Sequence, residues 1–147
     1  MNGQDDDDRP ATRALGEDEC WRLIEAAPYG RIAVAAAGEV DIFPVNHKVD
    51  TGPDGRAIVF RTQPGTKLLE LTIHANVAFE VDGYDEESAY SVVLKGRARQ
   101  LERDSEIQRV EGLGVSPWAP EPKDRWVRIE ITEIGGRTFQ RARPAGA

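Results

Sequence analysis

Val59-Phe60-Arg61-Thr62-Gln63-Pro64-Gly65-Thr66-Lys67-Leu68 changes its period in the middle of a 147-residue chain. Ala57 to Thr62 reads as a strand, Pro64-Gly65 as the turn that breaks it, and Lys67 to Ile73 as a short helix. Backbone N–H groups at a helix start have no partner within the helix, and they attract an anion. Arg61 and Lys67 add two cations, and Thr62 and Thr66 two hydroxyls, so the segment is suited to cradling a phosphate. The same residues also suit a plainer arrangement. In that one Thr66 caps the helix, Lys67 is solvated and Arg61 pairs with a surface carboxylate.

On the N-terminal side lies the dense turn signal Thr51-Gly52-Pro53-Asp54-Gly55. Ile32, Val34 and Ala36 alternate ahead of Val40 to Val49, and this pair reads as a hairpin. Earlier still, Cys20, Leu23, Ile24 and Ala27 recur at helical spacing, with Glu17, Asp18 and Glu19 in the first turn. On the C-terminal side Asn76 to Asp82 and Tyr90 to about Leu101 read as strands. Asp104 reads as the N-cap of a short helix through Val110. Gly112 to Pro122 reads as a loop. Arg125 to Ile131 and Thr138 to Arg141 read as two last strands joined through Gly135-Gly136. About six or seven neighbouring strands with two or three short helices predict a mainly β, α+β fold, an antiparallel barrel rather than a parallel sheet. Residues 1–13 read as a disordered acidic tail, 14–141 as one domain and 142–147 as a flexible C-terminal tail.

The net charge of −7 argues against a general nucleic-acid binder, which needs cations to neutralise phosphate. No run approaches the ~18 apolar residues of a membrane span. Met1-Asn2-Gly3-Gln4 followed by four aspartates is unlike a secretory signal, and Cys20 is the only cysteine, so a cytoplasmic protein is expected. Cys20 shares an apolar helix face with Ile24, which suits a buried thiol better than a nucleophile. His47 and His74 stand apart with no second ligand at metal spacing, so no metal is expected. Gly112-Leu113-Gly114 lacks the third glycine of a dinucleotide fingerprint, and neither a nucleophile elbow nor a phosphate loop of the G-x-x-x-x-G-K type is present.

Several segments, in order, resemble one family. They are Gly30-Arg31-Ile32-Ala33-Val34, Asp41-Ile42-Phe43-Pro44-Val45-Asn46, Phe60-Arg61-Thr62, Gly65-Thr66-Lys67-Leu68 and Val77-Ala78-Phe79-Glu80-Val81-Asp82. Ser91-Val92-Val93-Leu94-Lys95-Gly96-Arg97-Ala98, Pro117-Trp118-Ala119-Pro120 and Trp126-Val127-Arg128-Ile129 continue the pattern. From about Leu15 to Phe139 the chain resembles the pyridoxamine 5′-phosphate oxidase-like, FMN-binding split β-barrels, especially the short members similar to nitroimidazole reductases.

The resemblance implies an antiparallel split barrel that binds FMN and transfers hydride or electrons to or from a small molecule. A protein that binds or stores a flavin, a deazaflavin or haem without turnover is the alternative. It implies that Pro44, Val45, Asn46, His47 and Lys48 lie along the flavin ring, and that Arg61, Thr62, Gly65, Thr66 and Lys67 hold its phosphate. A homodimer is also implied, with each flavin at the interface and Trp118 and Arg137 placed for partner contacts. Trp118 is equally suited to packing between its prolines. Trp126, Arg128 and Arg137 are of the types enriched at interfaces. Departures are His47-Lys48, where relatives often carry an aromatic or aliphatic pair, and the single Arg137, where two adjacent basic residues are common. The extra basic residues of the vitamin B6 substrate pocket are not found. With a flavin carrying the chemistry no side-chain triad is needed, and His47 is the one candidate proton donor.

Overall fold

The computed structural model describes residues 11–53, 55–73, 75–113 and 125–141. Among them are eight strands and three helices, one more strand than the upper expectation. The order is β1 (Thr12–Ala14), α1 (Glu17–Ala26), β2 (Gly30–Ala36), β3 (Glu39–Val45), β4 (His47–Gly52), β5 (Gly55–Thr62), α2 (Lys67–Thr72), β6 (Asn76–Tyr84), β7 (Ser88–Gln100), α3 (Asp104–Glu111) and β8 (Arg125–Gln140). All ladders are antiparallel, and the sheet runs β3-β2-β6-β7-β8-β5-β4, with β1 added on β8. Its two edge strands, β3 and β4, follow one another in the chain with only Asn46 between them. The barrel is therefore bridged there by the chain and not by a ladder, which is the split.

Period two sorts the side chains. Val45, His47 and Val49 of β3 and β4, Ile58 and Phe60 of β5, and Phe79 and Val81 of β6 turn inward around Ile24 of α1. β5 buries Ala57 to Phe60 without a break because α3 covers its outer side. There Val59, Leu101, Val110 and Trp126 form a second, smaller cluster. Cys20 is fully buried as a core residue, and Trp21, which the apolar spacing had omitted, joins the same helix face.

Four expectations need correction. Thr12 and Arg13, assigned to the tail, pair with Phe139 and Thr138. Val40 to Val49 is two strands and not one. Asp104 is the first residue of α3, and the cap is Arg103, which contributes no side-chain bond. Gly135-Gly136 is no turn: β8 is continuous, with Gly135 opposite Val93 and Gly136 opposite Val92. A Cβ at Gly136 would lie 2.9 Å from the Ser91 carbonyl oxygen and 3.0 Å from Leu15 Cδ1. Glycine is there for close approach, not for reversal. Expectations about residues 1–10, His74, most of the Gly112–Pro122 loop with Trp118, and the 142–147 tail lie outside the described residues.

Candidate functional site

β5 ends at Thr62 and the chain reverses at once. Thr66 Oγ1 lies 2.9 Å from the Gln63 carbonyl oxygen and 3.0 Å from Thr62 Oγ1, and it accepts the Leu69 N–H at 3.2 Å. Gly65 has φ 77°, a conformation that costs glycine little, and a Cβ there would meet nothing within 4 Å among the described residues. The turn is thus open to an approaching group on that side. So the helix cap of the plainer reading is present, and it is joined to a second hydroxyl.

Proton bookkeeping defines what this pair can do. The Gln63 carbonyl only accepts, so while Thr66 donates to it, Thr62 must donate to Thr66 and presents only lone pairs elsewhere. Rotating the Thr66 hydroxyl toward Thr62 frees the Thr62 proton for an external anion, at the cost of one neutral hydrogen bond. α2 has only six residues, so attraction for an anion rests on side chains more than on an aligned helix dipole.

The two cations flank this turn in the chain and point to different neighbours. Arg61 alternates with Thr62 and lies on the outer face of β5, its guanidinium carbon 5.2 Å from the Trp126 ring centroid. Lys67 is exposed, with Nζ 3.3 Å from Asp41 Oδ1 and 4.0 Å from Glu39 Oε2. Neither carboxylate was singled out in the sequence, because the β2–β3 hairpin that brings them to α2 is remote in the chain.

The register also sorts the expected ring-binding stretch. Pro44 and Lys48 are exposed on the outer face, Asn46 links the two strands, and Val45 and His47 face the core. Lys48 stands opposite Val59, one diagonal step from Arg61 on the same face. The His47 ring turns into the core, away from the outer face that carries Pro44 and Lys48. Its Nε2 lies 2.7 Å from the Ile24 carbonyl oxygen, so that nitrogen carries the proton, and the ring meets Phe79 edge-on at 5.0 Å. Nδ1 is buried without a hydrogen-bond partner among the described residues. Burial above all lowers the His47 pKa, the Ile24 carbonyl opposes this, and Lys48 reinforces it. The backbone of His47 lies between the outward-facing Pro44 and Lys48, but its side chain is held in the core.

The late-chain residues divide. Trp126 is buried in the cluster beneath α3, and Arg128 is buried against Asp50, so both serve the chain's own interior. Asp50 Oδ1 also takes Arg109 of α3 at 2.7 Å. Arg137 is exposed and faces outward on β8 opposite Ser91, at the far end of the strand from Trp126. Eleven residues at roughly 3.3 Å each put it about 36 Å along β8 from the strand end that holds Arg61. No described helix is long and apolar enough to cross a membrane.

A sequence model of the family described as pyridoxamine 5′-phosphate oxidase matches residues 16–138. An FAD-binding protein from Mycobacterium smegmatis has a similar structure, with a TM-score of 0.80 and 35% identity, covering 88% of this chain and 100% of that one. A candidate pyridoxamine 5′-phosphate oxidase from Corynebacterium glutamicum gives 0.82 and 35%, over 92% of this chain and 98% of its own. An uncharacterised protein of Mycobacterium tuberculosis is 36% identical over 86 residues, 58% of this chain and 78% of the relative.

Proposed function

Because this chain belongs to the pyridoxamine 5′-phosphate oxidase family, we propose that it is a flavin-dependent oxidoreductase acting on a small molecule. The observation that carries the reading is the Thr62–Thr66 hydroxyl pair at an open glycine turn, with Arg61 before it and Lys67 after it. The donor set fits the phosphate that FMN carries on its ribityl chain and that FAD shares. A similarly folded relative with 35% identity binds FAD, which supports a flavin here. The flavin supplies hydride or electron transfer. The chain's residues bind and orient it: Lys67 and Arg61 offset the phosphate charge, Thr62 donates to a phosphate oxygen, and Pro44 to Lys48 line the ring.

Absorbance of the purified protein separates flavin from deazaflavin or haem, and titration tests the cradle. Lys67→Ala should weaken FMN and FAD about 10- to 150-fold, from roughly 1.5–3 kcal/mol for one charge-assisted hydrogen bond. Riboflavin, which has no phosphate, should lose far less. Equal losses for all three flavins would remove the phosphate assignment.

The proposal includes a homodimer. On the outer face, Val40 and Ile42 are 72% and 64% exposed, beside Ala33, Ala35 and Ala78 of β2 and β6. A monomer leaves this apolar strip in water. β6 is the middle strand of β3-β2-β6-β7-β8, so a two-fold axis along it exchanges the ends of that sheet. Arg137 lies in the row of Ser91 and Asp82, two residues on from the row Pro44, Arg31, Glu80 and Val93, and that row meets the other edge at Asn46. A second copy thereby brings its Arg137 toward the groove that this chain's own Arg137 cannot reach. Ile42→Asp should convert a dimer near twice 16.2 kDa into a monomer and lower flavin affinity together. A wild-type monomer that retains its flavin at micromolar concentration would defeat the shared site.

A further inference from the structure

We propose that the second copy packs over Arg31, Glu80 and Asp82, and that the two chains associate by taking up protons at this cluster. The inference rests on the homodimer proposed above and adds its regulation by pH. On the outer face of β6, Glu80 and Asp82 stand two residues apart and share one partner. Arg31 Nη1 lies 2.9 Å from Glu80 Oε1 and 3.0 Å from Asp82 Oδ2. Two carboxylates thus face a single guanidinium. The apolar strip continues around them, with Ala78 and Ala33 on one side and Val93, 41% exposed, opposite Glu80 on β7. In a single chain the three charged side chains are half-buried, and water still screens the surplus negative charge.

A two-fold axis along β6 sets each row of side chains against its own counterpart. Glu80 and Asp82 of one copy then meet Glu80 and Asp82 of the other, four carboxylates against two guanidiniums where water is excluded. Among the described residues, Arg31 is the one cation that β2, β6 and β7 place in these two rows. β7 offers Val93 and Ser91 there, Lys95 stands one row away at 3.6 Å from Glu133, and Arg137 lies beyond Ser91 on β8. The Tyr29 ring is 5.9 Å from the Arg31 guanidinium carbon. Burial, and then the Asp82 charge, holds the Tyr90 hydroxyl above its usual range, so it stays neutral. Burying an unpaired charge is costly, and a proton shared between two carboxyls avoids the cost. The single chain already leans this way. Burial, and then the hydrogen bond shared with Asp82, raises the Glu80 pKa, and the same bond lowers that of Asp82. A second copy deepens the burial and raises Glu80 further. The dimer then holds protons that the separate chains release. Association therefore strengthens as pH falls from neutrality, and levels off once Glu80 of the single chain is itself protonated.

Fluorescence-detected sedimentation of the N-terminally labelled full-length chain, at pH 7.5, 6.5 and 5.5 and constant ionic strength, tests this. One proton taken up changes the dimer dissociation constant by up to about tenfold per pH unit. The wild type should tighten about tenfold or more between pH 7.5 and 5.5. Glu80→Gln, which carries the neutral form at every pH, should dimerise more tightly than the wild type at pH 7.5 and lose most of the pH dependence. Glu25→Gln makes the same change of charge on the exposed side of α1 and should keep the wild-type profile. His47 and the remaining carboxylates titrate in all three proteins and cancel from the comparison. If the wild-type dimer holds at nanomolar concentration throughout, the same series is run on Ile42→Ala, whose trimmed contact brings dissociation into range. A dimer indifferent to pH, or a Glu80→Gln profile parallel to the wild type, overturns the proton uptake and leaves the dimer standing. A wild-type monomer at every pH overturns both.

Discussion

Two ion clusters on this barrel use the same chemistry in opposite ways. Beneath α3, the Asp50 side chain is 2% exposed and holds Arg109 at 2.7 Å through one oxygen and Arg128 through the other. Gly52 leaves the room for this, since a Cβ there would lie 2.7 Å from Arg109 Nη1. Arg128 also approaches Glu130 at 3.5 Å, and Arg99 joins Glu130 to Glu106 of α3. Both oxygens of the central carboxylate are consumed, and Asp50 and Arg128 are buried while Arg109 stays half-exposed. At the other cluster, Lys67 is 58% exposed and meets Asp41 and Glu39 in water. Exchange of its partner there forfeits little, because an exposed pair is worth only about 0–1 kcal/mol. Burial decides which charges fasten the fold and which remain available to a ligand.

The largest expected effect tests that contrast directly. Removing one partner of a buried pair leaves the other charge uncompensated, at a cost of about 3–5 kcal/mol. Asp50→Leu should therefore lower the unfolding free energy by that order in urea titration, because Arg128 stays buried. The double variant Asp50→Leu with Arg128→Met should recover much of the loss, since no buried charge is then left unpaired. Lys67→Ala on the same assay should cost less than about 1 kcal/mol, even though it is the variant expected to damage flavin binding. Similar costs at the two clusters would break the comparison.

Legibility followed the range of the interaction. Phe60 to Leu71 was readable because its signals are local: strand alternation, the Pro64-Gly65 break and the Thr66 cap all lie within one turn of chain. The pairing of Lys67 with Asp41 was not, because hydrophobic period says nothing about which strand end faces which helix. Gly136 looked like a turn because its partner Leu15 comes from the opposite end of the chain. Trp126 looked suited to an interface because α3, which covers it, is joined to β8 by sequence with no period of its own. The family resemblance supplied an expected ring-binding stretch and the order of its residues. It did not reveal that alternation at Val45 and His47 turns those side chains inward while Pro44 and Lys48 face out.

His47, buried against Ile24 and Phe79, sharpens the comparison through pH. Its ring is buried like Asp50, but only one nitrogen is satisfied, and a second proton on Nδ1 would be buried without an acceptor. Burial, and to a smaller extent Lys48, therefore holds its pKa below the usual 6.5. In the unfolded chain the imidazole titrates near 6.5. Below that pH the unfolded state binds a proton that the folded state refuses, so stability falls as the solution is acidified. One differential proton gives a slope of up to about 1.4 kcal/mol per pH unit, which ends once the pH passes below the depressed folded value. His47→Gln retains an N–H for the Ile24 carbonyl and removes the titration. Urea unfolding of the two proteins between pH 7.5 and 5.0 should show free energies that converge, or cross, as pH falls. His74 is present in both proteins and cancels from the difference. Parallel profiles across that range would show that the imidazole accepts its second proton without penalty, and that His47 belongs with the solvated charges around Lys67.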